Sequence, residues 1–268
     1  SRRQRQMCIR DRGGSDMKVP RQDAILELLG ETDSKSMTTV ELARKLQVAP
    51  MTIRRDLAEM SKKRLLSRTY GGASLIIERT TNEKAKIQRE AKLEIGRQIA
   101  AFITPKATVY LGAGTTVNAA ISFLPTNPQI LYVTNSDLAF RDLLKRKAKV
   151  VLAGGTYEEK SNQFLGAIAE QALENFYFDF AFIGTNGIYN GQATTSSLPD
   201  KTIKELAAKR ALKKYVVADA TKIGKADPYP FANINELSGI IVDSKLSDRF
   251  IRDLKKLCSV VVAKPLNT

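Results

Sequence analysis

P-M-T-I-R-R-D-L-A-E-M-S-K-K, residues 50–63, runs directly into R-L-L-S-R-T-Y-G-G-A, residues 64–73. Ile53, Leu57 and Met60 fall at i, i+4 and i+7, so they form one stripe of a helix and predict burial of that stripe over residues 50–63. Met51, Thr52, Arg54, Arg55 and Lys62 are left facing outward. Pro50 suits a first helical turn and turns the preceding Val48-Ala49 away from helix. Residues 65–73 read as a short strand, a Gly-Gly turn and a return strand.

Upstream, V-E-L-A-R-K-L-Q (40–47) predicts a short helix that Thr39 can N-cap, with Val40, Ala43 and Leu46 inward. Residues 34–38 read as a polar connector. Ile25, Leu26, Leu28 and Leu29 make the apolar face of a first helix that starts near Pro20 and fades at Gly30. Three helices and a hairpin predict a winged helix-turn-helix, whose third helix offers small polar and basic side chains to a DNA major groove. Thr52, Arg54 and Arg55 are the candidates at base edges or phosphates, and Thr39 and Met51 are further DNA-binding candidates; Lys62, Lys63, Arg64 and Arg68 are candidates for the backbone.

Charge agrees with a polyanionic partner. The 268 residues carry 43 Lys and Arg against 28 Asp and Glu, a net +15. Residues 35–70 alone hold nine basic and three acidic residues. Residues 1–16 (SRRQRQMCIRDRGGSD) lack apolar periodicity and read as a fusion scar or mistranslated leader; Met17 reads as the natural start, and the charge before it is set aside. Histidine is absent, which removes His-based triads, general bases and zinc sites. Cys8 and Cys258 allow one bridge at most and suggest no thiolate metal site. No run reaches the roughly 18 apolar residues of a membrane helix, so a cytoplasmic location with no membrane partner is expected. Neither cofactor nor metal is expected.

Residues 82–103 predict one amphipathic linker helix. Beyond it, strands read at 107–111, 129–134, 148–153, 179–183, 214–219, 239–243 and 258–263 alternate with helices near 115–124, 136–146, 166–176, 199–212 and 246–256. That alternation predicts an α/β domain, a mainly parallel sheet covered by helices on both faces. Gly- and Thr-rich clusters follow several strands: Gly112-Ala113-Gly114-Thr115-Thr116, Thr134-Asn135-Ser136, Gly154-Gly155, Gly184-Thr185-Asn186-Gly187, and Asp219 with Lys222. Ligands of open α/β sheets gather at the carboxyl ends of strands. The first cluster is neither a Walker loop nor a Rossmann fingerprint, but backbone amides and hydroxyls there can cradle a phosphate.

T-I-R-R-D-L followed by L-L-x-R-x-Y-G-G-A resembles the motif of the DeoR family of bacterial regulators, over residues 20–74. Tyr70 stands where a histidine is common and Arg64 where a glycine is common; Tyr70 can still hydrogen-bond a phosphate. Residues 90–262 are similar to that family's sensor domain, which shares a fold with ribose-5-phosphate isomerase and the CoA transferases. The resemblance implies that Gly114, Thr115 and Thr116 hold a phosphate while Asn135, Lys204 and Lys222 line the pocket. Gly112 stands where an aspartate is common in the family, and Asp200 and Thr202 each stand where a glutamate is common. The effector-site candidates are therefore Gly112, Gly114, Thr115, Thr116, Asn135, Ser136, Gly155, Gly184, Asn186, Asp200, Lys204 and Lys222.

The implied organisation is a leader at 1–16, a winged helix-turn-helix at 17–74, and a linker helix with a sugar-phosphate-sensing domain at 75–268. The implied function is a repressor of a sugar-metabolism operon, paired on operator DNA as a dimer or tetramer and released by a phosphorylated sugar. Residues 222–237 resemble a segment of lactose and galactose phosphotransferase regulators, pointing to a hexose or ketohexose phosphate such as tagatose-6-phosphate. The competing reading is a sugar-phosphate isomerase carrying a DNA-binding domain. Isomerisation needs a carboxylate base, and the turn that holds acidic residues in the isomerases reads G-T-N-G here, so no catalytic residue is expected.

Overall fold

The computed structural model describes residues 18–63, 65–75 and 81–266; the leader, Met17, Cys8 and Arg64 lie outside them. The chain divides into two compact units, with the boundary between residues 77 and 78.

In the first unit, α1 (Lys18–Glu31), β1 (Ser36–Thr38), α2 (Thr39–Lys45) and α3 (Pro50–Lys62) precede the hairpin β2 (Leu66–Thr69) and β3 (Gly72–Leu75). Ile25 and Leu29 of α1, Leu42 and Ala43 of α2, and Ile53, Leu57 and Met60 of α3 close one core over Leu66 and Ala73. Two expectations fail locally. The connector at 34–38 contains β1, which pairs antiparallel with β3 in a three-stranded sheet ordered β1-β3-β2. The cap of α2 is Thr38, not Thr39. The Thr38 side chain accepts from the Glu41 amide at 3.2 Å, and Glu41 accepts from the Thr38 amide at 2.8 Å, a reciprocal capping box. The one-residue change of register turns Leu42 inward and leaves Val40 68% exposed.

The wing turn is fixed by two glycines for different reasons. Gly71 adopts φ +81°, and a Cβ at Gly72 would collide with the Met37 carbonyl oxygen of β1.

The second unit begins with α4 (Thr81–Lys86) and α5 (Arg89–Phe102), where one continuous linker helix was expected. The break sits at Gln88, which is left-handed at φ 53°. At the break the buried Lys92 ammonium donates to the carbonyls of Lys84 and Ile87, which a continuous helix would use internally.

The sheet is built from β4 (Thr108–Leu111), β5 (Leu131–Thr134), β6 (Val150–Leu152), β9 (Phe178–Gly184), β12 (Ala211–Ala218), β14 (Gly239–Val242) and β15 (Val260–Val262). All seven strands run parallel in the order β15-β14-β12-β9-β4-β5-β6. Alternation sends Val109, Leu111, Phe180 and Phe182 into one core and Tyr110, Ala181 and Ile183 into the other. The connecting helices are α6 (Thr115–Asn118), α7 (Asp137–Lys145), α8 (Ala167–Glu174), α9 (Leu198–Lys209) and α10 (Asp248–Lys255). Five short strands were not expected. The hairpin β7 (Thr156–Glu158) and β8 (Gln163–Leu165) stands apart, and β10 (Gly187–Tyr189), β11 (Gln192–Thr195) and β13 (Tyr229–Asn233) form a small antiparallel sheet. No helix among the described residues is long and apolar enough to cross a membrane.

Candidate functional site

Helix α3 presents two faces of different chemistry. Opposite its buried stripe, Met51, Arg54, Arg55, Ala58 and Lys62 are exposed, and Thr52 is half-buried beside them. Tyr70 stands 62% exposed at the wing tip. Arg68 on β2 is half-buried, and its Nη1 is enclosed without a hydrogen-bond partner among the described residues. Thr39 is not part of this surface. It is 4% exposed, its amide donating to the Gly71 carbonyl at 2.7 Å, so it joins the helix to the wing turn rather than facing a groove.

Sequence reasoning missed what holds the helix in place. Asp56 points inward, 2% exposed, and accepts two hydrogen bonds from Arg21 of α1: Nε to Oδ2 at 2.5 Å and Nη2 to Oδ1 at 3.1 Å. The hydrogen bond to Asp56 holds the Arg21 guanidinium above its ordinary value against the opposing effect of burial.

In the second unit the predicted effector residues fall at the ends of several strands. At the end of β4, Gly112 donates to the Phe182 carbonyl at 3.0 Å, and Gly114 at φ 138° precedes α6, bringing Thr115 and Thr116 to that helix start. Asn135 is committed to the fold. It accepts from the Tyr110 hydroxyl at 2.9 Å and donates to the Phe164 carbonyl at 3.0 Å and to Gln163 Oε1 at 3.3 Å. Ser136 caps α7 through the Ala139 amide at 3.2 Å. Gly155, at φ 146°, lies where a Cβ would come within 2.6 Å of the Leu165 carbonyl oxygen. These three serve the architecture around the strand ends.

Asp200, Lys204, Asn186 and Lys222 gather beyond β9 and β12. Asp200 and Lys204, one helical turn apart on α9, form a buried ion pair at 2.6 Å, and both hydrogen-bond the Thr195 hydroxyl. Asn186, next to Gly184, donates to Asp227 Oδ2 at 2.7 Å. Lys222 ends the turn at 220–222 that Asp219 caps.

Two lysines absent from the sequence-based candidates complete the cluster. Burial and then repulsion from Lys222 pull the Lys84 ammonium below its ordinary value, with Lys204 also repelling it and Asp227 and Asp200 opposing. Burial brings Lys92 down to about 8, opposed by Asp219 and reinforced by Lys222 and Lys84. Lys92 carried a readable sign, since it lies on the stripe of Ile95 and Ile99, where an apolar residue is expected.

Between α4, α5, α6 and α7 lies a cleft of about 170 Å³ lined by Thr81, Arg89, Lys92, Thr115, Asn118 and Leu138 among others. Asn118, which lines it, has an enclosed Oδ1 without a hydrogen-bond partner among the described residues. Thr115 is the predicted effector residue that lines it. Cations, hydroxyls and an unsatisfied amide oxygen suit a ligand carrying both negative charge and hydroxyl groups.

Residues 21–79 match the model of the DeoR-like helix-turn-helix domain, and residues 87–244 match that of the DeoR C terminal sensor domain. The chain is 31% identical over 235 residues to the lactose phosphotransferase system repressor of Staphylococcus epidermidis, an alignment covering 85% of this chain and 92% of that one. It is 32% identical over 235 residues to the HTH-type transcriptional regulator GlpR of Haloferax volcanii, covering 86% and 91%. Among solved structures, ribose 5-phosphate isomerase A of Methanocaldococcus jannaschii aligns at a TM-score of 0.36 and 15% identity over 49% of this chain and 53% of that one, a likeness too slight to argue from. With both halves matched in order, the chain belongs to the DeoR family of helix-turn-helix transcriptional regulators.

Proposed function

We propose that this chain represses a sugar-metabolism operon and leaves its operator when a phosphorylated sugar binds the second unit. The observation that carries the effector half is the crowding of Lys84, Lys92, Lys204 and Lys222 at the carboxyl ends of β9 and β12. Burial and repulsion from neighbouring lysines make the Lys84 and Lys92 ammoniums costly, and an arriving phosphate relieves that cost. The exposed basic stripe of α3 supports the operator half. The name of the lactose phosphotransferase system repressor supports a sugar-linked operon.

The ligand of this reading is a hexose or ketohexose phosphate, tagatose-6-phosphate being the first to try. Cytoplasmic dimers or tetramers pair the readers on a repeated operator, because one three-helix reader covers too few base pairs for specificity. The ligand shifts the protein off DNA only by binding the two states with different affinity.

A second reading, sugar-phosphate isomerisation, draws on the Asp227 carboxylate beside Asn186, which the G-T-N-G turn by itself lacks. One experiment separates them: fluorescence anisotropy on the chain's own upstream DNA with a sugar-phosphate panel, each compound being recovered and analysed for conversion. Release by one unconverted compound supports the repressor. Conversion without any effect on DNA supports the isomerase.

A further inference from the structure

We propose that Met51 is a base-reading residue whose side chain packs against the 5-methyl group of a thymine in the operator's major groove. The inference rests on the DNA-reading role of α3 argued above and names the chemistry that role recognises.

The buried stripe of α3 is complete without Met51: Ile53, Leu57 and Met60 are each 0% exposed. Met51 lies about 200° around the helix from Ile53, at the head of the row Met51, Arg55, Ala58 and Lys62. It is 59% exposed, in the first turn behind Pro50, with Arg54 and Arg55 one turn further along. Residues at the start of a recognition helix are those that meet base edges. A basic stripe that served phosphates alone would gain nothing from a thioether there. The major groove offers one apolar feature, the thymine methyl, and a long unbranched side chain can adapt to its position. Arg54 and Arg55 flank this contact and take guanine edges or phosphates.

The test uses the full chain and a duplex enriched from a randomised pool, prepared once with thymine and once with deoxyuridine at every thymine. That exchange removes only the 5-methyl groups. Wild type is expected to bind the deoxyuridine duplex about fourfold more weakly per methyl contacted, the value of one buried methylene-sized group. Met51→Ala and Met51→Gln are expected to bind both duplexes equally, at the weaker level, while Arg54→Ala keeps the preference for thymine. Unchanged thermal melting of the Met51 variants shows that the helix is intact. Equal binding of both duplexes by wild type overturns the proposal, as does a thymine preference that survives in both Met51 variants. Failure to enrich any duplex overturns the DNA-reading role itself, and Met51 with it.

Discussion

Replacing Asp56 by alanine leaves the Arg21 guanidinium beside the first core without its carboxylate. Removing one member of a buried ion pair costs about 3–5 kcal/mol. Arg21 keeps 19% of its side chain exposed and can partly rehydrate, so the structure argues for about 2–3 kcal/mol here. The loss is local, because both partners belong to the first unit. Hydrogen exchange of the α3 amides reads it directly, with the amides of α9 in the second unit as an internal control. Asp56→Ala should speed exchange in α3 by about 30- to 150-fold and leave α9 unchanged. The double variant Arg21→Met with Asp56→Leu should recover most of the protection, since apolar side chains replace the pair without stranding a charge. Exchange in α3 within threefold of wild type after Asp56→Ala would refute the claim that this pair pins the helix.

Arg54→Ala and Arg55→Ala should each weaken operator binding by about 1–3 kcal/mol and flatten its salt dependence, checked by anisotropy titrations at several ionic strengths. Thr115→Ala combined with Thr116→Ala should keep DNA affinity and abolish release by the effector; a normal response would place the phosphate elsewhere. Lys92, at about 8, lies below the ordinary lysine value of about 10.4, so between those pH values the unfolded chain holds more protons than the folded one. The stability of wild type should therefore rise relative to Lys92→Met from pH 8 to 10, by about 2 kcal/mol over that range, read from thermal melts at each pH. Below pH 8 both states are charged and the difference should be flat. A bound phosphate raises the Lys92 value again, so effector binding near pH 8.5 should take up protons, seen as buffer-dependent heats in titration calorimetry.

Periodicity carried the parts of the fold that are repetitive and locally determined. Ile53, Leu57 and Met60 are legible because a helix buries every third or fourth residue, and the parallel strands are legible as β-branched runs between helices. Two of the misses arise where a residue outside the element decides the local conformation. β1 exists because β3 offers it a partner, and the linker helix breaks where the Lys92 ammonium takes its carbonyls. Strands of three to five residues such as β7, β8, β10, β11 and β13 are too short to show a period. The cap of α2 is different, for Thr38-x-x-Glu41 was readable and competed with an adjacent threonine. In the site, Asp200 and Lys204 were named through the family resemblance. Asp227 and Lys84 were not, because the topology alone brings them close.

The break at Gln88 also bears on how motion enters the second unit. A single rod over residues 82–103 would move as one lever and transmit any tilt to the sheet. α4 is instead secured near its two ends, by Thr81 on the Lys160 carbonyl at 3.1 Å and by the Lys92 ammonium on its last carbonyls. Because one of its fastenings is also a cation lining the cleft, occupancy of the cleft and attachment of the segment compete for, or share, the same ammonium. The latch on α4 and a cation of the cleft are then one side chain, Lys92.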